Sequence, residues 1–274
     1  MQQSKYIFID IDGTLFSHKN GIPFSAMDAI DQARKNGHKV FICTGRVYSA
    51  VDDYLRFFPF DGYIYGAGGH IVLRDQTQLH NHALSEKQLN QLIELCNKYH
   101  LDYVLEGTDL SYYTPKCSHF FKTKHELEAL DSEAVMRHLV PDFRMKDVSE
   151  FKQHPCDINK LSIIYSQNYN TQPLQNDLPK EFQLITYKDC AEIIIKGIDK
   201  SYGMKTVLNY FNIPIEDSIA LGDSMNDYEM LRDAKIGIAM GNASSAVKEI
   251  ADFVTKDVDD DGVYYAFKHF NLIK

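Results

Sequence analysis

The sequence predicts an α/β fold: a parallel-sheet core, interrupted in the chain by a second, inserted α/β domain. Three observations lead there. Near both ends, short apolar runs alternate with helix-like segments, the rhythm of parallel strands joined by crossover helices. The middle of the chain alternates differently, with polar residues inside some of its strand-like runs. Several apolar runs near the two ends finish in acids or a hydroxyl, the chemistry expected along the ligand-binding edge of one sheet.

YIFID at 6–10 reads as a buried strand. SAMDAIDQARKNG at 25–37 reads as a helix, with Ser25 as its cap, Asp28 three residues on, and Gly37 as its stop. HKVFICTG at 38–45 is a second strand, VYSAVDDYLRFF at 47–58 the next helix, and DGYIYGAGG at 61–69 a third strand. In the middle, SEKQLNQLIELCNKYH at 85–100 is a helix with a Ser85/Gln88 capping box. LDYVLEG at 101–107, LSYYT at 110–114 and KLSIIYS at 160–166 read as strands of a mixed sheet open on one face. In the last third, SYGMKTVLNYFNI at 201–213 places Met204, Val207, Leu208 and Phe211 on one helical face. SIALGD at 218–223 is a strand and MNDYEMLRDA at 225–234 a helix. IGIAMG at 236–241 is a further strand, SSAVKEIADFV at 244–254 a helix, and DDDGVYYAFKHF at 259–270 the final one. The simplest division is a core of residues 1–82 and 190–274 around an insertion at 83–189.

The bulk properties narrow the function. With 274 residues, 44% hydrophobic and 24% charged, the chain has ordinary globular composition and enough length for a large core. A formal net charge of −9 argues against nucleic acid as the main partner. The five cysteines form no CxxC pair and no zinc spacing, which fits a reduced, cytoplasmic protein. No apolar run approaches the ~20 residues of a membrane span, and YIFID follows the first residues without a signal-like segment.

The strand ends carry the chemistry. The first strand ends in Asp10, followed by Asp12; the second ends in Thr44, followed by Gly45 and Arg46. The strand at 218–223 ends in Gly222 and Asp223, followed by Asn226 and Asp227, and Lys200 opens the preceding helical segment. Carboxylates crowded at one edge repel by a few kcal/mol per close pair at an effective dielectric of about 20. A hard divalent cation relieves that repulsion, and oxygen-only donors without His or Cys point to Mg²⁺ rather than zinc. A phosphate then becomes an acceptable ligand, with Lys200 and Thr44 available to its oxygens. Asp10 can attack phosphorus, and Asp12 can give a proton to the leaving oxygen and later activate water.

Plainer readings exist for each feature. Asp10 and Asp12 also suit a solvated Asp-Gly turn, Asp223 and Asp227 a helix N-terminus, and Lys200 an ordinary surface position. GAGG at 66–69 is no dinucleotide fingerprint, because Ile71 stands where a third glycine is needed. His80 and His82 read as loop histidines, and Tyr112, Tyr113, Phe120 and Phe121 as core of the inserted domain. The acids from Asp257 to Asp261 read as a solvated helix start, lacking the spacing of a calcium loop.

Four ordered motifs set the plainer readings aside. DIDGT at 10–14, TGR at 44–46, DKSYG at 199–203 and GDSMND at 222–227 resemble those of the haloacid dehalogenase superfamily. GIAMGNA at 237–243, VK at 247–248, DGV at 261–263 and the long insertion resemble its Cof-type phosphatases. The resemblance implies a Rossmann-like core with an inserted α/β cap that carries substrate specificity. It implies an enzyme that hydrolyses small phosphate monoesters with Mg²⁺ through an aspartyl-phosphate. Asp10 is then the nucleophile and a metal ligand, and Asp12 the general acid/base, ligating the metal through its carbonyl. Asp223 completes the protein's own metal ligands, Asp227 partners the metal indirectly or through water, Thr44, Lys200 and Asn226 hold the phosphate, and Arg46 and Asn242 lie near the substrate. Sugar phosphates are the expected substrates, followed by pyridoxal phosphate or flavin mononucleotide. A phosphomutase and a non-catalytic metal- and phosphate-binding sensor are the competing functions. Two departures stand out. Family members often carry Asn-Gly-Ala where this chain has Ala67-Gly68-Gly69, and Ser-Lys-Gly where it has Asp199-Lys200-Ser201.

Overall fold

The computed structural model describes residues 4–120 and 144–274. In chain order its strands begin with β1 (Tyr6–Ile9), β2 (Lys39–Cys43), β3 (Gly62–Tyr65), β4 (His70–Leu73) and β5 (Gln78–Asn81). β6 (Asp102–Gly107), β7 (Ser111–Tyr113), β8 (Met145–Asp147), β9 (Ile158–Ile164), β10 (Phe182–Thr186) and β11 (Cys190–Ile195) follow. The last are β12 (Ser218–Gly222), β13 (Ile236–Ala239) and β14 (Phe253–Val254). They form an eight-stranded sheet, ordered β14-β13-β12-β1-β2-β3-β4-β5, and a six-stranded sheet, ordered β10-β11-β9-β6-β7-β8.

In the larger sheet β14 through β3 are parallel, and β4 and β5 are antiparallel additions at one edge. Its central strands are apolar on both faces because helices cover both. Ile7 and Ile9 of β1, Val40 and Ile42 of β2, and Ile219 and Leu221 of β12 pack under the helices Phe24–Lys35 and Gly262–His269. Phe8, Phe41, Cys43 and Ala220 face the helices Lys200–Tyr210 and Tyr228–Asp233 on the other side. From β1 the sheet grows one way through β2 and β3 and the other way through β12 and β13. The carboxyl end of β1 therefore lies at a switch in strand order, where open α/β sheets take their ligands.

The smaller sheet is antiparallel except where β7 pairs with β8. One face packs Leu105, Leu161, Ile163 and Ile193 against Leu92 and Cys96 of the helix Glu86–Lys98. That helix carries the expected Ser85/Gln88 capping box.

Several local expectations give way. Ser25 does not cap the first helix, which starts at Phe24 behind Pro23; its hydroxyl donates to Asp261 instead. Gly37 does end that helix, at φ +93. Segment 47–58 is not one helix but a 3₁₀ turn at Tyr48–Ala50 and a short helix at Asp53–Phe57. Val51 is extended between them, and the Asp52 carboxylate restarts the helix by accepting from the Leu55 N–H at 2.9 Å. The helix expected at 225–234 begins as a 3₁₀ turn, Met225–Asp227. That expected at 244–254 stops at Ile250 and continues as edge strand β14. His80 lies in β5 rather than in a loop. Tyr112 is fully buried in the smaller sheet's core, and Phe121 lies outside the described residues. The expected boundary at 190 also moves: β11, from Cys190 to Ile195, is an internal strand of the smaller sheet.

Candidate active site

Strand pairing runs one residue beyond β1, where the Asp10 N–H donates to the Leu221 carbonyl at 3.1 Å. Asp10 is thereby fixed beside the end of β12, buried to 3% exposure. The chain then folds back as Thr14, Leu15 and Phe16 donate to the Ile11 carbonyl at 3.2, 2.9 and 2.7 Å. Gly13 makes the turn at φ +81, and a Cβ there would collide with the Asp223 carboxylate. Thr14 Oγ1 donates to Asp223 Oδ1 at 3.1 Å, tying the turn to the end of β12. Asp227 is fully buried and shapes the loop after β12: its Oδ2 accepts from the Asp223 and Ser224 N–H groups at 3.0 and 3.1 Å.

Lys200 is the first residue of its helix, which Asp199 caps by accepting from the Tyr202 N–H at 2.7 Å. The aspartate in place of the family's serine thus does a capping task. Lys200 is completely buried, and its Nζ donates to Asp10 Oδ1 at 2.5 Å and to Asp227 Oδ1 at 2.6 Å. Oxygens of Asp10, Asp223 and Asp227 lie within 4.8 Å of one another. With all of these groups ionised, three carboxylates against one ammonium leave two negative charges uncompensated. Burial and the neighbouring Asp227 push Asp10 well above the usual carboxylate range, with Lys200 pulling it back only in part. The same two causes push Asp223 up to about 7. A surplus of two negative charges on hard oxygen donors fits a divalent cation such as Mg²⁺.

Asp12 belongs to a separate pair. Arg46 holds it in a fork, Nε to Oδ2 at 2.8 Å and the terminal nitrogen to Oδ1 at 2.5 Å. Burial raises the Asp12 pKa, but the guanidinium overcomes it and leaves the carboxyl below its ordinary value.

Above these groups lies a cavity of about 250 Å³, lined by Asp10, Asp12, Arg46, Ser224 and Asn226 from the larger sheet. Thr44 and Lys200 are fully buried and outside that lining; Thr44 Oγ1 accepts from the Arg46 N–H at 3.1 Å. Asn226 reaches the cavity, its Oδ1 accepting from Ser224 Oγ at 2.7 Å. Asn242 does not line it: its amide donates to the Gly13 carbonyl at 2.7 Å and accepts from the Val258 N–H at 3.0 Å. It fastens the turn after β1. A larger groove of about 440 Å³, by Lys39, Asp61 and Phe211, sits at the amino ends of β2 and β3, away from the acids.

The cavity's other wall went unread in the sequence. Glu106, Lys160, Ser162, Cys190 and Glu192 come from β6, β9 and β11 of the smaller sheet. The signal was present as alternation: in INKLSII at 158–164 the apolar Leu161 and Ile163 interleave with Lys160 and Ser162. Lys160 is 3% exposed, with Nζ 2.5 Å from Glu192 Oε1 and 3.4 Å from Glu106 Oε2.

Known proteins share this architecture. Residues 7–267 match the haloacid dehalogenase-like hydrolase family. The chain is 31% identical to YkrA of Bacillus subtilis (strain 168) over 272 residues, 99% of each protein. It is 25% identical to the pyridoxal phosphate phosphatase YbhA of Escherichia coli (strain K12), over 95% of this chain and 96% of that one. The structure of the HAD subclass IIB sugar phosphatase BT4131 superposes with a TM-score of 0.80 at 26% identity, covering 98% of this chain and 100% of that one. The ordered strand-end motifs, the split parallel sheet and these full-length matches agree: the chain belongs to the haloacid dehalogenase-like hydrolase family, in its Cof-type branch, and is a phosphatase acting on phosphate esters.

Proposed function

We propose that this protein is a Mg²⁺-dependent phosphomonoesterase that works through an aspartyl-phosphate on Asp10, with small sugar phosphates as its substrates. The smaller sheet, through β11, acts as the cap over the core. The observation that carries this reading is the group of Asp10, Asp223 and Asp227 around Lys200, with two negative charges in surplus when all are ionised, beside a cavity that Asp10 lines.

Asp10 and Asp223, with the Asp12 carbonyl, would hold the metal, and Asp227, its oxygens engaged by Lys200 and two backbone N–H groups, would support it indirectly or through water. When bound, Mg²⁺ neutralises the acids and withdraws charge from the transferring phosphoryl group. Lys200 holds Asp10 Oδ1 in place and adds a fixed positive charge. Asp10 attacks phosphorus, and the bond to the ester oxygen breaks. Asp12 gives that oxygen a proton as it leaves. Water then attacks the aspartyl-phosphate, Asp12 takes its proton, and the phosphorus–Asp10 bond breaks to release phosphate. In the pair with Arg46, Asp12 is held ionised, which is the form the second step requires. Its role as acid in the first step requires Arg46 to let go, which an incoming phosphate favours by competing for the guanidinium.

Phosphate release from a hexose monophosphate tests this, with Mg²⁺ or with EDTA. Asp10→Asn abolishes release while the melting temperature shows a folded protein. Full activity in that variant, or full wild-type activity in EDTA, overturns the proposal. Isomerised sugar phosphate without phosphate release would identify a mutase instead.

A further inference from the structure

The wall of the cavity opposite the catalytic acids is a built polar surface. In the smaller sheet Glu106 pairs in register with Lys160, and Ser162 with Glu192, so the four side chains stand together on one face. Ser162 Oγ donates to Glu106 Oε1, and Lys160 bridges both glutamates. Such a group is costly inside a sheet unless it has work to do. The same strands' other face is an ordinary apolar core.

We infer that Glu106, Lys160, Ser162 and Glu192 are the specificity-determining residues for the leaving group. They select a neutral, hydroxyl-bearing ester over one with a second anionic group or a flat aromatic ring. The inference rests on the phosphatase reading above.

Three features carry it. First, Glu192 Oε2 is buried without a hydrogen-bond partner while its residue lines the cavity. Turned toward the cavity, it accepts from a substrate hydroxyl; an ionised phosphate or carboxylate has no proton to donate to it. Second, the charges of the set leave it negative, because Lys160 faces two glutamates. Lys160 is thus already engaged and unavailable to a second anion. Third, among the described residues lining the cavity there is no aromatic side chain, so a heterocycle finds no stacking partner. The volume of about 250 Å³ falls below the ~300–1,000 Å³ of drug-sized ligand sites, which also favours a compact leaving group over a flavin.

The test measures kcat/KM on four esters: a hexose 6-phosphate, a hexose 1,6-bisphosphate, pyridoxal phosphate, and ethyl phosphate, whose leaving group has no hydroxyl beyond the ester oxygen. The wild type favours the hexose 6-phosphate over the bisphosphate and pyridoxal phosphate by about tenfold or more, about 1.4 kcal/mol of discrimination. Glu192→Gln keeps the shape, removes the charge and puts a donor near the hydroxyl, so the ratio of monophosphate to bisphosphate falls about tenfold. Ser162→Ala, a milder change, lowers the ratio of hexose 6-phosphate to ethyl phosphate by several-fold and serves where Glu192→Gln fails to fold. Variants that slow all four esters by one common factor overturn the inference. So does a wild type that shows no preference among esters it does cleave. A wild type that releases phosphate from none of the four overturns the sugar-phosphate reading proposed above, and this inference with it.

Discussion

Replacing Lys200 by methionine is the sharpest test of the electrostatics at the strand ends. The side chain is fully buried and bonded to Asp10 at 2.5 Å and Asp227 at 2.6 Å. Methionine fills similar volume and removes the charge. Asp10, Asp223 and Asp227, with oxygens within 4.8 Å, are then left facing one another. At an effective dielectric of about 20, each such pair repels by about 3–4 kcal/mol. Breaking a buried ion pair by removing one partner costs about 3–5 kcal/mol. Part of that repulsion relaxes by proton uptake, so the loss in EDTA at pH 8 is expected at about 3–5 kcal/mol, a large share of a typical domain's stability. The assay is urea unfolding at pH 8, in EDTA and in millimolar Mg²⁺. Mg²⁺ stabilises both proteins and stabilises Lys200→Met more, because the variant has three negative charges to neutralise instead of two. Equal stability of wild type and variant in EDTA, or an equal Mg²⁺ increment in both, would refute the reasoning.

Other expected outcomes follow from the same geometry. In metal-free wild type, Asp223 keeps its proton up to about 7, whereas an unfolded aspartate loses it near ~4, so stability falls as pH rises across that window; unfolding in EDTA from pH 4.5 to 8 checks the sign. Arg46→Met removes the group that holds Asp12 below its ordinary pKa, so the ionisation assigned to Asp12 in pH–rate profiles moves upward; no shift, or a downward one, refutes the pairing. Asp61→Asn weakens bonds to Arg34, Lys39 and the Val40 N–H and costs about 1–3 kcal/mol at pH 7. Asp61 is held below its ordinary pKa despite burial, so that contribution is full above ~4 and lost as pH falls through its folded value; urea unfolding should show the wild-type advantage shrink there. Ser49 donates to Gly107 and Arg144 to Val51, joining the two sheets' units at 2.8 and 3.0 Å. The double change Ser49→Ala, Arg144→Ala should raise KM several-fold for the hexose phosphate and, because Arg144 also loses its pair with Asp53, lower the melting temperature by roughly ten degrees.

The gathering of acids along one sheet edge was legible because its pattern is local. A strand that ends in an acid and a tight glycine turn announces itself within five residues, and DIDGT and GDSMND each do so. Their joining was legible too, since parallel strands place successive carboxyl ends along one edge. What failed was decided by partners distant in sequence. Ser25 looked like a cap until Asp261 took its hydroxyl, and Asn242 looked like a substrate contact until Gly13 and Val258 took its amide. CAEIII at 190–195 is apolar enough to pass for a core strand, yet it lies between β9 and β10.

The same distinction explains how the molecule divides its work. On the proposed function the core acids meet one fixed demand, the charge of a phosphoryl group, and short rigid motifs meet it: Lys200 buried, Asp227 clamped by two backbone N–H groups, Gly13 pressed against Asp223. The leaving group varies from ester to ester, and on the inference above it is met by alternate residues of sheet strands. On such strands a side chain changes without disturbing the apolar face behind it: Lys160 and Ser162 face the cavity while Leu161 and Ile163 hold the core. A substitution at Ser162 or Glu192 therefore alters which ester is taken with little effect on how its phosphorus is attacked. Specificity can diverge on this fold while the four motifs stay as they are, and for that reason the motifs alone reveal the reaction and not the substrate.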